Sequence, residues 1–232
     1  MKLFGPLHLG LLAAIVVAAI AAAVLQRRRP IPARVFRLAL GGALAANELI
    51  WWVYRYSHEG IHETNLPLQL CDISVWLAVL ACLRLRPAII EFAYFAGLAG
   101  AGMALATPDL YRQWPNYPAV YFFLAHGGVV IAVSMLVFGR AVRLRKHAVW
   151  RAYALLLAYA TAVGAFNAVA GSNYVYLCRK PAGASALDAM GPRPWYIPAG
   201  AGLALVLFWL LWIPVRPRAP KPGCHVSAHT AS

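Results

Sequence analysis

The sequence predicts an all-α polytopic membrane protein, a bundle of seven transmembrane helices with the N-terminus outside and the C-terminus in the cytoplasm. Composition is the first reason. Of 232 residues, 62% are hydrophobic and only 12% are charged, whereas a soluble domain has about 25% charged residues. So few polar side chains cannot coat a soluble globule of this size, which excludes a soluble enzyme, a disordered protein and a coiled coil. The second reason is the spacing of apolar stretches, and the third is the placement of basic residues between them.

Seven apolar stretches are each long enough to cross a bilayer core, which requires roughly 20 helical residues. Their continuous apolar character predicts helices, because strands of membrane barrels alternate over about 10 residues. The first stretch has only Lys2 before it and three arginines after it, so we expect a retained span rather than a cleaved signal peptide. In the fourth, Gly97, Gly100 and Gly102 are predicted to permit close helix packing. The predicted spans are Leu7–Leu25, Val35–Tyr54, Leu66–Leu83, Ala88–Ala106, Ala119–Phe138, Ala152–Gly171 and Tyr196–Pro214.

The formal net charge of +14 reports orientation rather than binding to nucleic acid, for which no role is expected. Fifteen of the 21 Lys and Arg residues follow the first, third, fifth and seventh stretches, and six lie in the other connections. Because cytoplasmic loops are enriched in basic residues, this alternation predicts the orientation given above. We expect anionic lipid headgroups as partners of these loops, and a location in the bacterial cytoplasmic membrane. Residues 1–215 are predicted to form one domain, and residues 216–232 a disordered cytoplasmic tail.

Polar residues inside the predicted spans mark a candidate site, because ionisable groups are costly in a bilayer and are usually functional. Most of them fall in the outer third of the membrane, where they predict a polar pocket. The alternative is that they form ordinary hydrogen bonds between helices. The exception is Glu91, near the cytoplasmic end of its span, which we expect to pair with Arg84 or Arg86. The residues predicted to meet in the pocket are Asn47, Glu48, Gln69, Cys71, Asp72, His126, Asn167 and Asn173.

The candidate chemistry centres on Cys71, for which His126 is the candidate base. A cysteine nucleophile acts as the thiolate and needs a base or a positive environment, whereas a lone buried cysteine is more often a small hydrophobe. Cys71 and Asp72 lie about 100° apart around a helix, so one is expected to face the cavity while the other packs or orients. Aromatic residues near this end, including Trp52 and Tyr121, are predicted to form an interfacial belt.

Three motifs resemble a known family. They are Leu66-Pro67-Leu68-Gln69-Leu70-Cys71-Asp72-Ile73, Ala125-His126-Gly127, and Gly171-Ser172-Asn173-Tyr174-Val175-Tyr176-Leu177. They resemble the YwaF-like bacterial integral membrane proteins, and the resemblance covers about 34–212. That family is similar to eukaryotic transmembrane protein 164, an acyltransferase that acts on ether phospholipids through a cysteine. The resemblance implies that Cys71 is the nucleophile and His126 its partner; Gln69 stands where many members have histidine.

The leading hypothesis is therefore a lipid acyltransferase or hydrolase, with a membrane phospholipid as substrate and no cofactor. The Cys71 thiolate would attack an ester carbonyl and form a thioester, while Asp72, Gln69 or Asn173 would orient the imidazole or bind the oxyanion. The alternative is a non-catalytic transporter or small-solute binding protein. Such a carrier should tolerate Cys71→Ser and needs a path to the cytoplasmic side.

A third hypothesis is a zinc hydrolase, because His58-Glu59-Gly60-Ile61-His62 matches the pattern H-E-x-x-H. On a helix this spacing places two histidines around zinc, with the glutamate as base. However, Gly60 weakens a helix at this point, and the motif follows the end of a span. A solvated loop is the favoured interpretation, and no metal site is predicted.

Overall fold

The described residues form seven principal helices. The computed structural model describes residues 2–108, 110, 114–181 and 186–216, and this part of the chain contains no strand. The all-helical class and the seven helices predicted from the sequence are confirmed. Four of the helices, α1, α4, α5 and α6, are long and apolar enough to cross a membrane. The helices are α1 Pro6–Arg28, α2 Pro30–Glu59, α3 Leu70–Leu83, α4 Pro87–Ala106, α5 Tyr117–Phe138, α6 Ala148–Ala170 and α7 Tyr196–Trp212.

Prolines set the beginning of four helices. Pro6, Pro30, Pro87 and Pro118 each occupy the first turn of a helix, where the missing N–H would have had no intrahelical partner. The end of α2 is set by Gly60, whose φ of 74° lies in the left-handed region that glycine adopts without strain. Local residue preferences therefore explain where several helices begin and where α2 ends.

Contacts between helix ends show that α1 runs antiparallel to α4 and parallel to α5. At one end of the bundle, His8 at the start of α1 bonds through Nε2 to the carbonyl of Leu105 at the end of α4, at 2.8 Å. At the opposite end, Nε of Arg27 at the end of α1 donates to the carbonyl of Phe138 at the end of α5, at 2.6 Å. Helix α5 is the central helix of the bundle, since 72% of its most apolar 18-residue segment is buried.

Helix α4 widens into a π-helical segment at Ala93–Gly97, all five residues of which are buried. Such segments are rare and often lie near functional or crowded positions. Here the segment directs the Tyr94 hydroxyl to the carbonyl of Leu211, at 2.9 Å, and places the Phe95 ring 5.4 Å from that of Phe208. The π-helical turn thereby joins α4 to α7.

Glu91 does not pair with Arg84 or Arg86, so that prediction was wrong. Its carboxylate is 2% exposed and forms ion pairs with Arg145 at 2.8 Å and with Arg151 at 3.1 Å. The main-chain N–H of Arg145 also donates to it, at 2.8 Å, and the hydrogen bond with Glu91 raises the pKa of the Arg145 guanidinium. The connection between α5 and α6 lies over the start of α4, an arrangement set by the tertiary fold.

The glycines that permit close packing are mostly not those of the fourth span. A Cβ at Gly100 or Gly102 would meet nothing within 4 Å, so the prediction for these two was wrong. A Cβ at Gly128 would lie 2.5 Å from the Leu44 side chain, and one at Gly127 would lie 2.9 Å from Ile15. The pair Gly127 and Gly128 therefore brings α5 against α1 and α2.

Helix α3 begins later than predicted, and most of the predicted tail lies outside the described residues. The sequence placed a span over Leu66–Leu83, but α3 starts at Leu70 because Gln69 forms its N-terminal cap. Residues 66–69 are therefore non-helical, and Pro67 precedes the helix instead of beginning it. The predicted tail over residues 216–232 lies outside the described residues from position 217 onward.

Glu91→Gln should lower the stability of the bundle. The neutral amide cannot form the charge-assisted hydrogen bonds with Arg145 and Arg151, whose side chains are partly exposed. We therefore expect the free energy of unfolding to fall by about 2 kcal/mol. Unfolding by a denaturing detergent at neutral pH measures this change. Arg84→Gln is the control, because it removes an exposed charge from the same end of the bundle. An equal loss in both variants would contradict the assigned ion pairs.

Candidate functional site

Cys71 lies on the first turn of α3, beside a capping box formed by Gln69 and Asp72. The Gln69 side chain accepts from the main-chain N–H of Asp72, and the Asp72 carboxylate accepts from the N–H of Gln69 at 3.1 Å. This reciprocal arrangement satisfies two groups that a helix start leaves unpaired. Cys71 is exposed while Asp72 is 6% exposed. The thiol sits at the surface, and the carboxylate beside it points inward.

The Cys71 sulfur interacts with both the carboxylate and the helix start. Its Sγ–H points at Oδ1 of Asp72 over 3.9 Å, a long contact. The N-terminus of a helix carries a partial positive charge and favours a thiolate, whereas the negative charges of Asp72 and Glu48 oppose it. The thiol thus lies beside a proton acceptor, on the first turn of a helix.

Glu48 forms a second buried acidic group near this turn. Its side chain is fully buried and accepts from Trp52 Nε1 at 2.7 Å and from the Tyr121 hydroxyl at 2.8 Å. Glu48 and Asp72 are close enough to interact electrostatically, and Cys71 lies within range of both. The structure therefore brings together four of the predicted site residues: Glu48, Gln69, Cys71 and Asp72.

The segment that follows α6 packs onto the segment that precedes α3. The Tyr174 hydroxyl donates to the carbonyl of Glu63 at 2.9 Å and accepts from the N–H of Leu66 at 2.5 Å, and burial raises its pKa. The Tyr159 hydroxyl donates to the carbonyl of Leu68 at 2.8 Å. These tyrosines satisfy the main chain of the non-helical segment 66–69. Two of the three motifs behind the family resemblance are therefore in direct contact.

Gln69 links these segments a second time and supports a strained turn. Its Oε1 accepts from the N–H of Val175 at 3.0 Å. Val175 has a φ of 57° and Tyr176 a φ of 54°, and a β-branched residue in the left-handed region is a genuine outlier. Strain of this kind persists only where surrounding contacts enforce it. The Oε1 atom of Gln69 thus has two structural tasks, capping α3 and holding the turn.

Asn167 and Asn173 brace the segment after α6. Asn167 Oδ1 accepts from the N–H of Tyr174 and from the Ser172 hydroxyl, and its Nδ2 donates to the Tyr174 carbonyl, at 2.8–2.9 Å. Asn173 Oδ1 accepts from the N–H groups of Cys178 and Arg179 at 3.0 Å. These amides shape the loop, and neither contacts Cys71.

Asn47 lies on another face of α2, in an apolar groove between α1, α2 and α5. Its Nδ2 is buried without a hydrogen-bond partner. Adjacent residues on a helix point about 100° apart, so Glu48 faces the capped turn while Asn47 faces this groove. Asn47 is therefore not brought to the acidic cluster.

His126 makes no hydrogen bond or ring contact with Cys71 among the described residues. Its Nδ1 bonds to the carbonyl of Phe122 at 2.8 Å, and its ring lies 4.2 Å from the Phe122 ring. Donation to a carbonyl requires a proton on Nδ1, which leaves Nε2 as an acceptor. A second histidine of the predicted spans, His8 in the first span, is fully buried.

The zinc pattern is not arranged for a metal. Helix α2 ends at Glu59, between the two histidines. His58 and His62 each bond to a main-chain carbonyl, of Tyr54 at 2.7 Å and of Glu59 at 2.6 Å, and Glu59 pairs with Arg55. Within the part of the chain that the structure describes, no three metal-ligating side chains are grouped. The geometry gives the zinc hypothesis no support.

The sequence interpretation overlooked the tyrosines that surround the acidic groups. Tyr121, Tyr159 and Tyr174 all lie within electrostatic range of Asp72, although Tyr121 was assigned to an interfacial belt. The available signal was an acid, Glu48, in an apolar span close to several hydroxyl-bearing aromatics. Which tyrosine faces which acid depends on helix packing and could not be read from spacing.

The fold and this cluster define the class of protein: a helical integral membrane protein with a buried acidic, tyrosine-rich cluster and an exposed cysteine at one end. The sequence model of the TMEM164 family matches residues 3–212, and the chain belongs to that family. This confirms the resemblance to transmembrane protein 164. No curated protein and no solved structure matches the chain.

Gln69→Leu should release the turn at Val175. The variant removes the helix cap and the acceptor for the Val175 N–H, so we expect at least tenfold faster hydrogen exchange there. Stability should fall by about 1 kcal/mol, the usual cost of losing a cap. Hydrogen exchange with mass spectrometry measures the first effect. Gln26→Leu is the matched control at the opposite end of the bundle; unchanged exchange at Val175 in Gln69→Leu would refute the assignment.

Proposed function

We propose that this protein is a lipid acyltransferase or hydrolase that forms a thioester on Cys71. The observation that carries the proposal is the exposed cysteine on the first turn of α3, whose Sγ lies 3.9 Å from Oδ1 of the Asp72 carboxylate. Membership of the TMEM164 family supports it, because the resemblance to transmembrane protein 164 implies a cysteine nucleophile. A phospholipid ester is the substrate class that reaches an exposed group on a membrane-embedded helix.

The reaction proceeds in two transfers. The Cys71 thiol gives its proton to a base, and the thiolate attacks the ester carbonyl carbon of a phospholipid. The tetrahedral adduct collapses with cleavage of the bond to the glycerol oxygen, which takes up a proton and leaves as a lysolipid. A second lipid alcohol then attacks the thioester, receives the acyl group and restores the thiol. Water in place of the alcohol yields a fatty acid.

Asp72 is the proton acceptor that the geometry favours. Its Oδ1 is the acceptor toward which the Cys71 Sγ–H points, whereas His126 bonds to its own helix. The proposal therefore reassigns the base from His126 to Asp72. The N–H groups of Leu70 and Cys71 belong to the first turn, which lacks intrahelical acceptors, and they are the candidate donors to the oxyanion.

We further propose that the Cys71 end of the bundle faces the outside of a bacterial cytoplasmic membrane. The positive-inside asymmetry of the loops supports this orientation. The N-terminus then lies outside, the C-terminus lies in the cytoplasm, and the substrate is an outer-leaflet phospholipid. The thiol distinguishes this function from a carrier, because a carrier has no requirement for a nucleophile.

Incubation with a phospholipid carrying a labelled acyl chain should place the label on Cys71. The bond should be cleaved by neutral hydroxylamine, because it is a thioester, and mass spectrometry should locate it. We expect no label on Cys71→Ala and none cleavable by hydroxylamine on Cys71→Ser. Asp72→Asn should reduce labelling at least tenfold, since general-base catalysis contributes about 10²–10⁴-fold.

Cys178→Ser is the control, since Cys178 lies in the segment after α6 and should not carry the acyl group. Equal labelling of wild type and Cys71→Ala would overturn the proposal. If His126→Ala, rather than Asp72→Asn, abolished labelling in a folded protein, the base assignment alone would be wrong.

The orientation has its own test with a membrane-impermeant maleimide. In a chain in which Cys71, Cys82 and Cys224 are replaced by alanine, Cys178 is the only thiol, and it should be labelled in intact cells. A second variant of the same chain also carries Cys178→Ala and Arg143→Cys, so that its one cysteine lies in the connection between α5 and α6. This cysteine should be labelled only in permeabilised cells. The reverse pattern would place the Cys71 end in the cytoplasm.

A further inference from the structure

A second candidate site lies at the other end of the bundle from Cys71, in a groove of about 440 Å³ between α1, α4 and α5. One stripe of α1, from Val16 through Ile20 to Arg27, forms its first wall. Leu98 of α4 and Phe138 of α5 belong to the other walls. This volume falls within the range of small-molecule sites, about 300–1,000 Å³.

The groove is apolar along most of its length and cationic at one end. Val16 and Ile20 are 54% and 59% exposed, so no part of the chain that the structure describes covers them. The only polar side chains that line the groove are Ser134 and Arg27. An occupant must therefore be a hydrocarbon over most of its length and must be compatible with a cation at its end.

Arg27 is fixed at the mouth of the groove. Its Nε donates to the Phe138 carbonyl at 2.6 Å, and its two Nη groups bond to no other described residue. A guanidinium presents donors in a planar fork that matches a phosphate. Arg28 and Arg29 follow directly and add to the positive field at this end of the bundle.

We propose that this groove binds an acyl chain of an anionic phospholipid whose phosphate is held by Arg27. The stripe from Val16 to Arg27 is about 16 Å long at 1.5 Å per residue, which accommodates most of one acyl chain. Anionic phospholipids are attracted to basic segments at a membrane surface. The lipid here is a structural ligand, independent of the reaction proposed for Cys71, because the two sites lie at opposite ends of the bundle.

A second copy of the chain fits the groove less well. A helix about 10 Å across occupies about 1,200 Å³ over the same length, so it could insert only side chains. It would also have to provide acidic groups opposite Arg27, and the whole chain contains only seven acids. Charge complementarity therefore favours a lipid phosphate.

The test compares binding of two phospholipids with identical dioleoyl chains to the purified full-length protein in detergent. Phosphatidylglycerol should bind more tightly than phosphatidylcholine, measured by native mass spectrometry and by the rise in Tm. Arg27→Gln should weaken phosphatidylglycerol binding about tenfold. Arg28→Gln, which removes the same charge from a neighbouring position outside the groove, should change it less than twofold. Arg27→Lys should retain part of the selectivity.

Filling the groove tests the acyl chain separately. Ala23→Phe places a ring in the groove and should weaken binding of both lipids, whereas Val17→Phe on the exposed neighbouring face should not. If Ala23→Phe lowers helicity by circular dichroism, Ile20→Trp is the substitute.

Equal effects of Arg27→Gln and Arg28→Gln would show general surface attraction and overturn the proposal. So would unchanged lipid binding in a folded groove-filling variant, or a dimer that excludes lipid. Thioester formation on Cys71 should persist in Arg27→Gln, which separates failure of this site from failure of the proposed reaction.

Discussion

The non-helical segment before α3 must have all its main-chain polar groups bonded, and the arrangement around Cys71 depends on this requirement. Helix α3 has 14 residues and is about 21 Å long, shorter than a bilayer core of about 30 Å. Irregular backbone at membrane depth is tolerated only where protein satisfies it. Tyr159 donates to the carbonyl of Leu68, Tyr174 accepts from the N–H of Leu66, and Asp72 accepts from the N–H of Gln69. The same bonds fix the first turn that carries Cys71.

The two ends of the bundle stabilise buried carboxylates by different means. At the Arg-rich end, Glu91 is neutralised by Arg145 and Arg151, which ties the α5–α6 connection to α4. At the Cys71 end, Glu48 is held by the neutral donors of Trp52 and Tyr121. A guanidinium partner stabilises a fixed negative charge. Neutral donors satisfy the carboxylate oxygens of Glu48 without adding a positive charge at the Cys71 end.

The two ends of the bundle therefore differ in the groups that they present. Cys71, the capped turn and the strained segment at Val175 lie together at one end. The Arg27 groove extends toward the other end of the bundle. A lipid bound there would stabilise the contacts of α1 with α4 and α5 while leaving the Cys71 end accessible to substrate.

The sequence by itself determined the helical membrane class, the number of helices, the family and the candidate nucleophile. Composition and the lengths of the apolar stretches are enough for these conclusions, because the free energy of transfer from water to lipid is additive along the chain. Only the tertiary structure decided the partners: Glu91 with Arg145, Asn47 in a separate groove, and His126 with the Phe122 carbonyl. Contacts between distant helices depend on helix rotation and on where each helix begins. A later helix start, such as that of α3 at Leu70, changes which side chains meet, and the spacing of residues in the sequence does not predict it.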